Sequence, residues 1–600
     1  NVDVISDLAD NLFPRSIHHF TWGTVSLIAC APITRDGERL SSLMYAIIIE
    51  NQSDSQREGA LELPSLYKKK YSDTRNVLIE CRETQSHNSI SFALPPHSQK
   101  EYMIAFTDPN AYQDTQKLFS RSIDEWLEET RQYYKQCIGK VHFDNDPMAG
   151  YLIERAYQQA SGAFAMNGYN QILGSNWGTY PVTPHIWNKD MYYSSLPYTM
   201  TEPDLCKKTI KWFAQYGIKY PGTKFEGGIF HSLSNSLSVI LLSGAYYDYF
   251  ADKHFFLDNE DLYRQMKEIL NEVITSRNPD EPHLYHSIWI SDAYSLGTYH
   301  TGSNICVYRA CRSLSRLALE IFDEKEYAIE LENEANAIKN DIEKYMTVES
   351  NGRRIFLEGI ASLDPHTKEY MSDECYRKEM LDQGLQFLTD VDYDGTITLR
   401  MHDGEESDTT LLNYYGYEAG DRTTHYGQFS SSDENPTYSC LSRGIKWGNQ
   451  SGATFPGYIS ILNGADNVEN WSGEHGRFKE LERLADLDGS WWWWPYKVGA
   501  STGDVTRMNS CGKCGWSSGI FYVLFITEFL GINYDAPNKH LTIHPKEFVG
   551  NFFWEDFHIG ESRFDIKVTD QHIHITNKNN YSITVNQHAV KEGEDYEFIK

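Results

Sequence analysis

The sequence predicts a mixed multidomain chain: an N-terminal β-sandwich, a central all-α toroid and a small C-terminal β-sandwich module. Three observations carry this. Short strand-like runs occupy Val25 to about Thr107, helical periodicity then persists to about Leu530, and period-two alternation returns over the last sixty residues. Six hundred residues exceed one simple core and imply two or three domains, one of them large because repetitive helical toroids exceed the usual domain size.

The first domain is placed at 1–112. From Val25 to about Thr107 the runs "LMYAIIIEN", "NVLIEC", "SISFAL" and "EYMIAFT" are separated by polar turns, the pattern of a sandwich. Asp114 to Cys137 has helical periodicity with a polar outer face, which makes 113–140 a linker helix. The region 141–534 reads as successive helical hairpins: Cys311, Leu314, Ala318 and Ile321 share one helix face, and Leu331, Ala335, Ile338 and Ile342 share the next. Long loops rich in Gly, Trp, Tyr and Asp separate these helices. Loops of that length carry function, and here they are read as lining one cavity. In 535–600, "FDIKV", "HIHI" and "SITV" alternate apolar with polar, and Asn579-Asn580 is read as a hairpin turn.

Composition narrows the partners. Lys plus Arg number 54 against 84 Asp plus Glu, and the net charge of -30 repels nucleic acid and anionic lipid. Mean hydropathy is -0.53 and no apolar run approaches the ~20 residues of a membrane span, so no membrane insertion is expected. No initiator Met or basic-then-apolar leader is present, which reads as a processed chain or a fragment. A secreted or periplasmic location is favoured over the cytoplasm. Oligomeric state is open.

The chemistry-bearing stretches lie in the long loops. "HIWNKDMYY", His185 to Tyr193, sets an Asp and a Lys among aromatic rings. Asp190 can accept from adjacent sugar hydroxyls, Lys189 can donate, and Trp187 and Tyr192 offer apolar faces, so the stretch reads as a sugar clamp. The bland alternative is a surface salt bridge beside core aromatics. Asp292 lies between Trp289 and Tyr294, surroundings that keep a carboxylic acid protonated, and is read as a general acid. Its alternative use is to cap the following helix. The second carboxylate is Asp504 in "STGDVTRMNS", then Glu474 in "NWSGEHGRF" beside Trp471. Glu226 and His231 in "FEGGIFH", Glu418 in "YGYEAGDR" and Arg507 complete the polar candidates for substrate binding. "DGSWWWWPYK" holds four consecutive Trp that no single face can bury together; Trp493 is assigned to stacking on sugar and at least two of the others to packing.

Asp390, Asp392 and Asp394 in "DVDYDG" match the opening of a calcium loop, with Met401 where the bidentate Glu would stand. A solvated acidic turn is the stronger reading, any calcium would be structural, and no cofactor is required. Cys511 and Cys514 form one C-x-x-C pair without a second, a weak metal signal.

This arrangement resembles the six-hairpin (α/α)6-barrel glycosidases: glucoamylases, trehalases, maltose phosphorylases, rhamnosidases and glucosylceramidase-type β-glucosidases. The residues that carry the likeness are "WNKD" (187–190), "GAYYDYFADKHFF" (244–256), the segment from Trp289 to Ala318, and "CGWSSGIFYVLFITEFLGI" (514–532) followed by "LTIHP". The likeness implies a glycoside hydrolase that removes a terminal sugar from an oligo- or polysaccharide. Trp187 stands where the glucosylceramidase-type family keeps a nucleophilic Glu, which implies inversion. The rivals are a phosphorylase, needing a basic Ser/His-lined phosphate pocket; a polysaccharide lyase using Tyr299 and His300; and a glycan-binding protein on an inactive barrel.

Overall fold

A computed structural model describes residues 2–62, 77–84, 89–166, 171–175, 188–218, 228–287, 299–350, 353–356, 359–360, 390–391, 397–398, 411–418, 482, 485, 487–490, 515–546 and 549–600. It divides into two compact units, Asn1–Gly139 with Ala165–Gly174, and Lys140–Phe164 with Ser175–Lys600.

The first unit holds strands β1 (Asp3–Ala9), β2 (Phe13–Phe20), β3 (Gly23–Cys30), β4 (Ser42–Asn51), β5 (Arg57–Glu62), β6 (Leu78–Cys81), β7 (Ser89–Leu94) and β8 (Ser98–Thr107). Six form a sheet in the order β1-β2-β3-β4-β8-β6, and β5 pairs with β7. One face of the sheet buries Ile28, Met44, Met103 and Ala105 against Leu118, Ile123 and Trp126 of two helices, α1 (Tyr112–Phe119) and α2 (Ile123–Ile138). The other face buries Val25, Ile47, Ile49 and Ile104 against Ile90, Phe92 and Leu94 of β7. Coverage on both faces explains the unbroken apolar run in β4.

The sequence reading of this unit needs two corrections. It begins at Val25, whereas β1 and β2 precede it; their Asp, Ser, His and Pro residues belong to a solvated sheet edge and hide the alternation. The segment read as a linker helix folds as two helices on the sheet. The break falls where Ser122 and Glu125 close a reciprocal capping box that starts α2.

In the second unit β9 (Lys140–Phe143) and α3 (Pro147–Gly162) come first; β10 (Phe164–Met166) and β11 (Ile172–Ser175), which pair with each other, fall mostly in the first unit. Helices α4 (Asn188–Thr199), α5 (Pro203–Tyr216), α6 (Leu233–Phe250), α7 (Lys253–Leu257) and α8 (Glu260–Ser276) follow. Next are β12 (Tyr299–His300), α9 (Thr301–Glu320), α10 (Lys325–Tyr345), and the short strands β13 (Thr347–Ser350), β14 (Arg353–Phe356), β15 (Gly359–Ile360), β16 (Asp390–Val391) and β17 (Ile397–Thr398). Helix α11 (Gly515–Leu524) leads into one π turn at Phe525–Phe529.

Burial separates two kinds of helix. Every residue of α11, all of α4 except Asp190 and all of α6 except Asp248 are buried, as inner helices require. In α8 and α10 a single stripe is buried; in α10 it is Ala328, Leu331, Ala335, Ile338 and Ile342.

Strands β18 (Ile532–Asp535), β19 (His540–Ile543), β20 (Phe552–Ile559), β21 (Ser562–Val568), β22 (His572–Asn577), β23 (Ile583–Val585), β24 (His588–Val590) and β25 (Asp595–Ile599) form two sheets, β18-β19-β23-β24 and β25-β22-β21-β20-β9. Asn579-Asn580 is therefore not a hairpin turn, because β22 and β23 belong to different sheets. The chain crosses there on buried amides: the Arg563 N–H donates to Asn579 Oδ1 at 2.9 Å, and Asn577 Nδ2 donates to the Tyr581 carbonyl at 2.8 Å.

Candidate active site

The inner helices begin at one end of the second unit. Asn188, at the start of α4, donates through Nδ2 to the carbonyls of Tyr216 and Gly217, where α5 ends. A Cβ at Gly217 would stand 3.3 Å from the Asn235 carbonyl, so the first turn of α6 lies at the same place. Ser287 Oγ accepts from the Leu233 N–H at 3.1 Å, and Asn304 in the first turn of α9 bonds Tyr285, two residues from Ser287. Helix α11 runs parallel to α4: Gly515 lies against Ser194, and Tyr522 packs on Tyr157, whose hydroxyl reaches Thr201 at 2.6 Å.

The opposite end is occupied by the C-terminal sheets. The Gly560 N–H donates to the Met200 carbonyl at 2.6 Å, and the Ala536 N–H to the Asp248 carbonyl at 2.7 Å. Gly560 needs its φ of +60°, and a Cβ there would collide with the Tyr249 carbonyl. Arg316 of α9 reaches Asp248 at 2.7 Å, Glu320 at 3.0 Å and Asp535 of β18 at 2.6 Å. The C-terminal sheets thus lie at the end opposite the starts of α4, α6, α9 and α11.

The described candidates fall as follows. Lys189 is 1% exposed, with its ammonium 4.8 Å from the ring centre of Tyr192 and 4.7 Å from that of Tyr193. That cation–π seat is invisible in the sequence, since it depends on side-chain direction. The Tyr192 hydroxyl is 2.8 Å from that of Tyr415. Asp190 alone in α4 retains exposure. His231 is buried in a 3-10 turn ahead of α6. Glu418 is not gathered with them: its side chain is 88% exposed and 3.9 Å from Lys339.

His300 caps α9, its Nδ1 accepting from the Ser303 N–H at 3.0 Å. Capping α9 is thus not the task of Asp292. The same geometry weakens the lyase reading. The His300 Nδ1 is committed, and burial pushes the Tyr299 phenol up, away from the phenolate a lyase base needs.

Trp187, Glu226, Trp289, Asp292, Tyr294, Asp392, Asp394, Trp471, Glu474, Trp493, Asp504 and Arg507 lie outside the described residues, as do Cys511 and Cys514. Asp390 opens β16, paired with Thr398. Among the described residues no three His, Cys, Asp or Glu groups are placed to hold a metal ion. In chain order, Trp187 immediately precedes α4, Glu226 lies just before α6, Asp292 lies between Ser287 and α9, and Asp504 and Arg507 precede α11. Sequence reasoning missed Ser287, Asn304 and Tyr415, whose only signal was a polar residue beside an apolar helical run.

Together these features define a helical array of the (α/α)6-barrel fold, with β-rich regions before and after it in the chain. The whole chain is similar to a protein described as a kojibiose phosphorylase from the human microbiome: TM-score 0.57, 12% identity, covering 100% of this chain and 86% of that one. A bacterial glucoamylase complexed with acarbose gives TM-score 0.46 at 11% identity, covering 88% of this chain and 85% of that one. A GH78 rhamnosidase of Bacillus sp. GL1 gives 0.43 at 11%, covering 94% and 54%. No sequence-family model and no curated protein matches the chain.

Proposed function

We propose that the chain cleaves glycosidic bonds at the mouth formed where the inner helices start, removing a terminal sugar from an oligo- or polysaccharide. The observation that carries this is the shared start of α4, α6, α9 and α11 at one end, with the C-terminal sheets over the other. The candidate aromatic and carboxylate stretches precede these helices in the chain.

In this reading Asp292 protonates the leaving glycosidic oxygen while Asp504, or Glu474, deprotonates the attacking water, with inversion at the anomeric carbon. Asp190, Lys189 and Tyr192 grip the terminal sugar with Trp187. Glu226, His231, Trp289, Tyr294, Trp471, Trp493 and Arg507 line the remainder. Calcium at Asp390, Asp392 and Asp394 would be structural.

A second reading is phosphorolysis, where phosphate replaces water and the product is a sugar 1-phosphate. It is supported by the hydroxyl and imidazole groups of His231, Ser232, Ser234, Ser287 and Ser303, all buried beside the starts of α6 and α9, where helix N-termini favour an anion. Product analysis on a glycan panel with and without phosphate separates the two, and release of no product from any glycan leaves a binding protein. Asp292→Asn should lower turnover about 10²- to 10⁴-fold. Retained activity in that variant excludes it as the acid.

A further inference from the structure

The sheet β25-β22-β21-β20-β9 buries one of its faces: Phe552, Trp554, Ile566, Val568, Ile573 and Ile575 are each at most 1% exposed. The alternate residues of the same strands lie on the other face. There His142 of β9 stands opposite Phe553 of β20, Phe553 opposite Lys567 of β21, Lys567 opposite His574 of β22, and His574 opposite Glu597 of β25. One row of five side chains therefore crosses the whole sheet on its outer face.

The row is open to solvent and holds few bonds of its own. Phe553 is 39% exposed, and the side chains of His142, His574 and Glu597 are 64%, 43% and 49% exposed. Lys567 is exposed and has no side-chain partner among the described residues. His142 lies 3.9 Å from Asp144, beyond hydrogen-bond reach. Glu597 stands between His574 at 3.3 Å and His572 at 3.6 Å, one imidazole beside each oxygen, which fixes the carboxylate without saturating it. The adjoining row is different. Thr576 donates to Asp595 at 2.5 Å, and Asp565 accepts from Lys578 at 3.1 Å and from the Asp556 N–H at 2.7 Å. That row satisfies itself, whereas the row of Phe553 presents an aromatic ring flanked by donors and acceptors with little internal use.

We propose that this row is a binding face for a neutral glycan chain, separate from the site of cleavage. The Phe553 ring offers an apolar surface to the C–H face of one sugar, and the imidazoles, ammonium and carboxylate beside it exchange hydrogen bonds with hydroxyl groups. Adjacent strands lie about 4.8 Å apart, so a glycan laid along the row meets a new side chain at each step, close to the advance of one sugar in an extended chain. A single exposed Phe is ordinary on a surface; polar groups in register on both sides of it are what fit a sugar. A protein partner needs a wider apolar centre than one ring, and the net charge of -30 repels an anionic polymer. Only the class of ligand is taken from the proposed function; the face itself does not depend on where cleavage occurs.

The test is electrophoresis of the full chain through native gels containing soluble starch, dextran, mixed-linkage β-glucan or xyloglucan. Wild type is run beside Phe553→Ala, Glu597→Ala and Ile329→Ala, the last a control for an apolar residue exposed elsewhere. At least one glycan should retard the wild type. Phe553→Ala should weaken that binding about tenfold and Glu597→Ala about fivefold, with Ile329→Ala unchanged. Thermal melting should match the wild type in all three, since none removes a buried group. Turnover of short oligosaccharides should also be unchanged, while on the retarding polymer Phe553→Ala raises KM and spares kcat, because the second contact acts through effective concentration.

Retardation by none of the four glycans overturns the proposal, as does retardation that Phe553→Ala leaves intact. A dimer seen in sedimentation that Phe553→Ala dissolves, without retardation, makes the face a contact between two copies of the chain and also overturns it. Retardation lost in Phe553→Ala from a chain that cleaves no glycan refutes the cleavage reading and leaves the binding face standing. Cleavage without retardation does the reverse.

Discussion

The contact between α11 and α4 offers a direct test of the barrel. A Cβ added at Gly519 would stand 2.1 Å from the Tyr193 carbonyl oxygen and 2.9 Å from its carbon, both rigid backbone atoms. Gly519→Ala must therefore push the two helices apart by roughly 1 Å, and a gap of that size forfeits about a quarter to a half of the dispersion energy between the facing atoms. Overpacking of this kind costs about 1–3 kcal/mol, and backbone on the opposing side places the value near 3. At about 2.1 cal/mol/K per residue, 600 residues have an unfolding entropy near 1.3 kcal/mol/K, so Tm should fall by about 2 °C. Scanning calorimetry resolves that shift. Gly162→Ala is the control: it ends α3 with nothing within 4 Å of the added carbon, and relief of unfolded-chain entropy should raise Tm by a few tenths of a degree. Two variants shifting in the same direction would refute the close approach of α11 to α4.

Two further outcomes follow. Burial holds the Glu528 carboxyl above its ordinary value of 4.5, against the pull of Lys546 and a hydrogen bond from Asn413. The folded state therefore keeps this proton at pH values where the unfolded chain has released it, and stability falls as pH rises from 4.5 through the folded pKa; Glu528→Gln should raise Tm at pH 8 and leave it unchanged at pH 4, and a loss at pH 8 would reverse the sign argued here. Lys189→Met keeps the apolar stem against Tyr192 and Tyr193 but removes the ammonium; it should raise KM by about tenfold, the worth of one hydrogen bond from a charged donor, with kcat nearly intact, and an unchanged KM would remove Lys189 from the sugar-binding set.

Elements whose neighbours are local or apolar were legible in the sequence. Strands β4 and β8, and the buried stripes of α9 and α10, could be read because a central strand and a helix face announce themselves by apolar spacing. Strands β1 and β2 could not, since an edge strand carries the polar residues of any surface loop. Asn579 was misread for a related reason: in a local reading an Asn pair signals a turn, whereas here its amide serves a backbone group sixteen residues away. The candidate loops stood out in the sequence because Trp beside Asp is unusual for a core. Asn304, which bonds Tyr285 and His300, and Ser287, which accepts from Leu233, did not, because they look like any polar residue near a helix start and their partners are chosen by the fold.

The direction of the inner helices bears on how the carboxylates divide their work. Helix N-termini carry partial positive charge and favour ionised groups, so a mouth ringed by the starts of α4, α6, α9 and α11 suits a carboxylate base without further help. An acid in the same ring is disadvantaged and needs apolar neighbours to keep its proton. Asp292 is followed in the chain by His300, which spends its Nδ1 on the first N–H groups of α9, and it has Trp289 and Tyr294 on either side. Asp504 has no aromatic residue within its stretch, and Arg507 lies three positions on. On the proposed assignment, the aromatic residues beside Asp292 in the sequence favour a protonated acid, and their absence around Asp504 favours a charged base.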